Sequence, residues 1–200
     1  MLPIPPLDGL GWSKIRALAR ELASSAPEDE VVAAALPLLD GGDPPHRMLG
    51  VYLMAFTAGA RPANLANLRE RVPADPSWEV QEALAQAFDA YCAALGYEAA
   101  LPTIDAWLAD AHPNARRAVS EGLRPWTSKS RVYFARRPAE AIRRLAALRQ
   151  DPSEYVRHSA GNALRDIRRA HPALVDAETA TWDLADPRQR FTYDRVLQAR

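Results

Sequence analysis

Apolar positions return every three to four residues along most of this chain, the period of helices that bury one face. In 12–25 they are Ile15, Leu18, Ala19 and Leu22. Pro27-Glu28-Asp29-Glu30 then sets three acidic residues at the positive end of a second helix, and Gly41-Gly42-Asp43-Pro44-Pro45 breaks it. The same period predicts further helices over 47–58, 64–71, 77–95, 99–109, 114–123, 139–149, 153–170 and 188–198, with 124–138 as a long irregular loop.

One helix opening occurs three times: DPSWEVQEALAQAFDAY from Asp75, HPNARRAVSEGLRPW from His112 and DPSEYVRHSAGNALRDI from Asp151. Aligning Val80, Ala115 and Val156 brings Ala83, Ala118 and Ser159 into register, then Ala87, Gly122 and Ala163, then Phe88, Leu123 and Leu164. Spacings of 35 and 41 residues suit a helix, a turn and a second helix per unit. The expected fold is all-α, a HEAT-like solenoid over 1–200 as one domain, with a basic concave groove.

Composition changes this picture little. A hydrophobic content of 48% over 200 residues supports a buried core, and abundant alanine favours packed helices. The lone Cys92 excludes an internal disulfide, and His46, His112, His158 and His171 show no metal-ligand spacing, so neither metal nor cofactor is expected. No apolar run approaches the roughly 20 residues of a membrane span, and the N-terminus lacks the pattern of a signal peptide. The expected compartment is the cytoplasm, at the nucleoid in a bacterium, with no membrane partner. Gly41-Gly42 lacks the lysine of a phosphate-binding loop.

Charge changes it more. The net charge is zero, but residues 1–112 hold 7 basic against 15 acidic side chains, whereas 113–170 hold 14 against 5. Such a segment, nearly all arginine, has the footprint that a phosphate backbone requires, although a solvated helical surface has it too.

The polar faces of the repeated helix are ordered. Trp78, Glu82 and Gln86 lie on one stripe, Arg117, Glu121 and Arg124 on the next, and His158, Asn162 and Asp166 on the third. The alignment makes Glu82, Arg117 and His158 equivalent, with Gln86, Glu121 and Asn162 one turn later. A salt-bridge ladder between helices would produce this pattern as readily as a binding wall. His158 is read as a packed or surface side chain, because no nucleophile arrangement accompanies it.

At these residues a resemblance emerges. The run DPSEYVRHSAGNALRDIRRAHPALV, with RRAVSEGLRPW and WEVQEA before it, resembles the AlkC and AlkD families of bacterial DNA alkylation repair glycosylases, which are HEAT-like repeat proteins. It covers roughly residues 45–176 and is closer to the AlkC branch, without that branch's C-terminal immunoglobulin-like domain. The resemblance implies that Glu82 is the acid of a Val-Arg-Glu helix in which Gln81 replaces the arginine. It implies further that Glu121 is the acid and Trp126 the aromatic of a Ser-Glu-Gly-x-Arg-Pro-x run, and that Asp166 is the acid of the last helix. Trp78 and Glu82 imitate the Trp and catalytic Asp of the AlkD branch, Arg116 or Arg117 its next arginine, and Arg165 a phosphate contact. Its last-helix tryptophan is Asn162 here.

The implied activity is hydrolysis of the N-glycosidic bond of cationic N3- or N7-alkylpurines in double-stranded DNA. Glu82, Glu121 and Asp166 are the expected catalytic carboxylates, and Trp78 and Trp126 the expected aromatics for the lesion. Arg116, Arg117, Arg124, Arg157 and Arg165 are expected at phosphates, and Trp12, Trp107 and Trp182 in packing. A monomer is expected. A second class stays open: a noncatalytic HEAT-like module that binds DNA or a protein.

Overall fold

The computed structural model describes residues 2–59, 61–122, 124 and 137–198, and every regular element among them is a helix. In chain order these are α1 (Trp12–Ser25), α2 (Glu28–Leu39), α3 (Pro44–Ala58), α4 (Pro62–Arg71), α5 (Trp78–Leu95), α6 (Tyr97–Leu108), α7 (Pro113–Gly122), α8 (Pro138–Ala146), α9 (Glu154–Arg168), α10 (Pro172–Thr179) and α11 (Pro187–Leu197). No described helix is long and apolar enough to cross a membrane. The helices form two compact units, Met1–Leu95 and Gly96–Arg200.

In the first unit α3 is the centre, packed by α1, α2, α4 and α5. Its run from Met48 to Ala55 is buried throughout, which explains why it is apolar on every side instead of striped. Gly50 permits the close approach of α2, because a Cβ there would stand 3.0 Å from the Ala35 carbonyl oxygen and from Leu38 Cβ. The helix begins three residues earlier than the sequence indicated. Asp43 accepts from the His46 amide, and Pro44 and Pro45 occupy the first turn, where a missing N–H costs nothing. The two prolines open the helix that they were expected to precede.

In the second unit α9 is the centre, against α7, α8, α10 and α11. Gly161 brings α11 close, since a Cβ at that position would fall 2.6 Å from Arg195 Cβ and 3.0 Å from the Thr192 carbonyl oxygen. Neither neighbour is the free end of a flexible chain. Gly161→Ala is expected to lower unfolding stability by about 1–3 kcal/mol. Chemical denaturation measures it, and an unchanged midpoint would mean that α11 shifts without cost.

The repeated helices are α5, α7 and α9. Their aligned positions are buried wherever they are described: Val80, Ala115 and Val156, then Ala83, Ala118 and Ser159, and so on to Phe88 and Leu164. Leu123 lies outside the described residues.

The structure also explains the Asp-Pro-Ser openings. Asp75 Oδ1 accepts from the Ser77 amide and Asp151 Oδ1 from the Ser153 amide, both at 2.8 Å, closing the turn before each helix. The same carboxylates bind an arginine of an earlier helix, Arg47 Nε at 2.7 Å and Arg116 Nε at 2.6 Å. Each opening is therefore a turn and a latch at once.

Candidate functional site

The second unit gathers most of the expected site on α7 and α9. Glu121 is on the last turn of α7, and Arg124 follows that turn, its amide donating to the Glu121 carbonyl at 3.1 Å. The Arg124 guanidinium bridges the two expected acids: Nη1 donates to Glu121 Oε2 at 2.8 Å, and Nε to Asp166 Oδ2 on α9 at 2.9 Å. Burial works against its charge. Glu121 and Asp166 more than offset that, holding the guanidinium more firmly protonated than usual.

Two hydroxyls extend the network. Ser159 Oγ donates to Glu121 Oε1 at 2.6 Å, and Ser120 Oγ lies 2.7 Å from Ser159 Oγ. With the Ser159 proton directed at the carboxylate, Ser120 must donate to Ser159, sharing its proton with the Arg117 carbonyl at 2.9 Å. Glu121 is thereby held from both sides. Asp166 is held less fully. Its side chain is 0% exposed, and Oδ1 has no hydrogen-bond partner among the described residues, with Arg165 Nε 4.0 Å away. Burial pushes its carboxyl above the ordinary value, opposed by Arg124.

Beside this network, the Arg117 guanidinium lies 4.5 Å from the centre of the Tyr155 ring, which is 42% exposed. His158 Nδ1 meets Asn162 Nδ2 at 3.2 Å, so the neutral ring carries its proton on Nε2. Burial depresses the affinity of His158 for a proton, with Arg195 next in weight, Glu121 opposing, and Arg165 and Arg117 adding to the depression. A histidine lowered in this way favours the fold above its ordinary value of 6.5, and that contribution is lost as pH falls below it. His158→Asn is expected to flatten the acid side of a plot of unfolding midpoint against pH. Curves that fall in parallel would contradict that role.

The remaining expected arginines are turned inward. Arg116 uses Nε and Nη2 on Asp151 and Nη1 on the Asp110 and Ala111 carbonyls, and Arg157 donates to the Asp151 and Pro152 carbonyls under the Phe191 ring. Both are built into joints between helices. Further charge is neutralised where Arg144 pairs with Asp105 at 2.7 Å. Asp105 belongs to the acidic stretch of the sequence and Arg144 to the basic one, so the contrast along the chain is partly cancelled in space. The second unit holds 18 basic against 13 acidic side chains.

In the first unit the expected residues occupy one face of α5. Trp78 is 57% exposed and Glu82 half-buried one turn later. Gln86 Oε1 accepts from the Tyr52 hydroxyl at 3.1 Å. Burial pushes that hydroxyl up to about 12, which keeps it a donor at neutral pH. Trp12, expected in packing, is half-buried and meets Trp78 edge to face, ring centres 5.0 Å apart. Trp107 and Trp182 are buried. Trp126 lies outside the described residues. Among those described, no group of three or more His, Cys, Asp or Glu side chains comes together to hold a metal.

Residues 6–177 match the family described as DNA alkylation repair enzyme. The chain belongs to that family. A solved structure of AlkD2 from Streptococcus mutans is 38% identical, with a TM-score of 0.89 over 95% of this chain and 90% of that one. The Pseudomonas fluorescens alkylpurine DNA glycosylase AlkC, bound to DNA containing an abasic site analogue, is 20% identical, with a TM-score of 0.53 over 93% of this chain and 60% of that one. The protein YhaZ of Bacillus subtilis (strain 168) is 35% identical over 91 residues, 44% of this chain and a quarter of that one.

These likenesses correct the expected branch. AlkD2 fits nearly the whole chain, and AlkC shares only the fold. Asn162, which stands where the AlkD branch has its last-helix tryptophan, is one side chain bonded to His158 and weighs little against a matched backbone. For this member of the DNA alkylation repair enzyme family, sequence reading missed Ser120 and Ser159. Their signal was present, since the repeat alignment set Ser159 where the other two helices carry alanine.

Proposed function

We propose that this chain is a DNA glycosylase that hydrolyses the N-glycosidic bond of cationic N3- or N7-alkylpurines in duplex DNA, working as a monomer. The observation that carries this reading is the face of α5, where an exposed indole stands one helical turn from a half-buried carboxylate. The indole face attracts a cation by roughly 0.5–2 kcal/mol, so Trp78 distinguishes an alkylated purine from a neutral one. Glu82 then stabilises positive charge as it develops on the sugar. The bond between C1′ and the base nitrogen breaks, its electron pair neutralises the purine, and water adds its oxygen to C1′ and releases a proton.

Glu121 and Asp166 take a different part from the one their sequence positions implied. Both are closed on Arg124, and we assign them to positioning that guanidinium. Arg124, Arg117 and Arg165 are the arginines we retain for the DNA backbone, with Arg116 and Arg157 as structural joints. AlkC, named as an alkylpurine DNA glycosylase and bound to abasic-site DNA, shares the fold and supports this choice of substrate class.

One observation favours a second reading, a duplex-binding module without excision. The Asp166 side chain is fully covered, and the Glu121 carboxylate is bonded to Ser159 and Arg124. Incubation with duplex carrying N7-methylguanine separates the two. Free base and alkali-sensitive abasic sites in equal amounts support the glycosylase, and salt-sensitive binding without either product supports the module.

A further inference from the structure

The first unit holds a second tryptophan and charged residue at the spacing of Trp78 and Glu82. Trp12 precedes Arg16 by one turn of α1, and the two indoles touch, ring centres 5.0 Å apart at 62°. The fields of the two charged residues also overlap at one group on α3. Arg16 and Glu82 both act on the Tyr52 hydroxyl, with opposite sign. Two helices thus bring an aromatic corner and a pair of opposite charges to the same side of α3.

Arg16 differs from the two latch arginines and shares with Arg157 an Nε that is sealed from solvent. Arg47 and Arg116 each direct Nε at an aspartate. Arg16 Nε is sealed from solvent with no hydrogen-bond partner among the described residues. A buried donor without an acceptor is unfavourable, and the usual remedies are an acceptor or a turn of the side chain toward one. An arginine whose Nε gives up no hydrogen bond among the described residues on turning is well suited to a phosphodiester, whose two free oxygens match its fork.

We propose that Trp12 and Arg16 complete a single-nucleotide site with Trp78 and Glu82, Arg16 taking a backbone phosphate and the two indoles taking the cationic base. This deepens the glycosylase reading and rests on it for the identity of the base. Arg16 lies in the acidic half of the sequence, outside the basic segment, which is why charge counting passes over it. Neither residue touches the reacting bond. They position the nucleotide, and Glu82 alone faces the sugar.

Binding as a function of salt tests this without relying on base release. The probes are two duplexes of one sequence, with and without a single N7-methylguanine, titrated against the full chain. Arg16→Gln is expected to reduce the slope of log affinity against log salt by about one. Arg71→Gln, which removes the same charge from an arginine paired with Asp40, is expected to leave the slope unchanged. Arg16→Lys should restore the slope but not the full affinity. Trp12→Ala should reduce the preference for the methylated duplex about threefold or more, and Trp12→Phe by less.

Equal slopes for the parent, Arg16→Gln and Arg71→Gln would overturn the proposal, even where the parent releases base. A slope lowered by Arg16→Gln in a protein that releases no base would uphold the phosphate contact and remove the glycosylase. A parent that binds neither duplex would remove both. Unfolding midpoints accompany each variant, and if Trp12→Ala fails to fold, Trp12→Phe is read in its place.

Discussion

Glu82→Gln is expected to slow release of a cationic purine by about a hundredfold or more while leaving duplex affinity within a few-fold of the parent. The magnitude follows from removing one charge that stabilises the transition state, commonly worth about 3–4 kcal/mol in a site that excludes water. Glutamine keeps the shape of Glu82 and one of its two acceptor oxygens, so a loss confined to the rate points to the charge. Binding should persist because a neutral side chain does not repel phosphate. Glu121→Gln offers the contrast. Its carboxylate is held by Ser159 and Arg124, so its loss should act through the placement of Arg124 and weaken affinity along with rate. Single-turnover release and equilibrium binding on the same duplex measure both effects. A Glu82→Gln rate within tenfold of the parent, with Glu121→Gln inactive, would transfer the chemistry to the second unit.

The largest expected effect on stability is at Arg124. Replacing it with alanine leaves Glu121 and Asp166 buried without their shared cation, and such uncompensated charges cost about 3–5 kcal/mol. Asp166 is the more exposed to this loss. Burial already pushes its carboxyl up, and Arg124 is the cation that most opposes the rise. Neutralising both acids should therefore rescue the variant. Arg124→Ala with Glu121→Gln and Asp166→Asn is expected to be more stable than Arg124→Ala alone, a coupling that simple addition of single effects does not give. Chemical denaturation at neutral pH provides the comparison, and additive losses would show that the three side chains do not act as one network.

The fold was legible because helices burying one face leave a period in the sequence. The three repeated openings located α5, α7 and α9, and their aligned positions are buried wherever they are described. Two features were not legible. The eight residues of α10 are too few to show a period, and they begin with a proline. The start of α3 was obscured because Pro44-Pro45 reads equally as a break and as a first turn.

The site was legible as a set of residue types and less so as roles. Ion pairs such as Arg124 with Glu121 and Asp166 depend on which side chains face each other between helices, and the helical period alone does not fix that. Arg116 and Asp151 illustrate the limit. Thirty-five residues apart in sequence, they form a two-pronged bridge, so an arginine expected at phosphate is instead part of a latch. Trp12 illustrates the converse. Alone in the sequence it has the look of a packing residue, and only its contact with Trp78 brings it to the candidate site.

We propose that the carboxylate and indole of α5 act together on a cationic base. The most direct measurement is single-turnover release of N7-methylguanine from duplex DNA by the parent chain and by Glu82→Gln, with both proteins saturating the DNA. Base and abasic site formed together by the parent, and lost by about a hundredfold in the variant at equal occupancy, is the predicted result. A parent that saturates the duplex and releases no base would contradict the claim and leave a DNA-binding member of the family in its place.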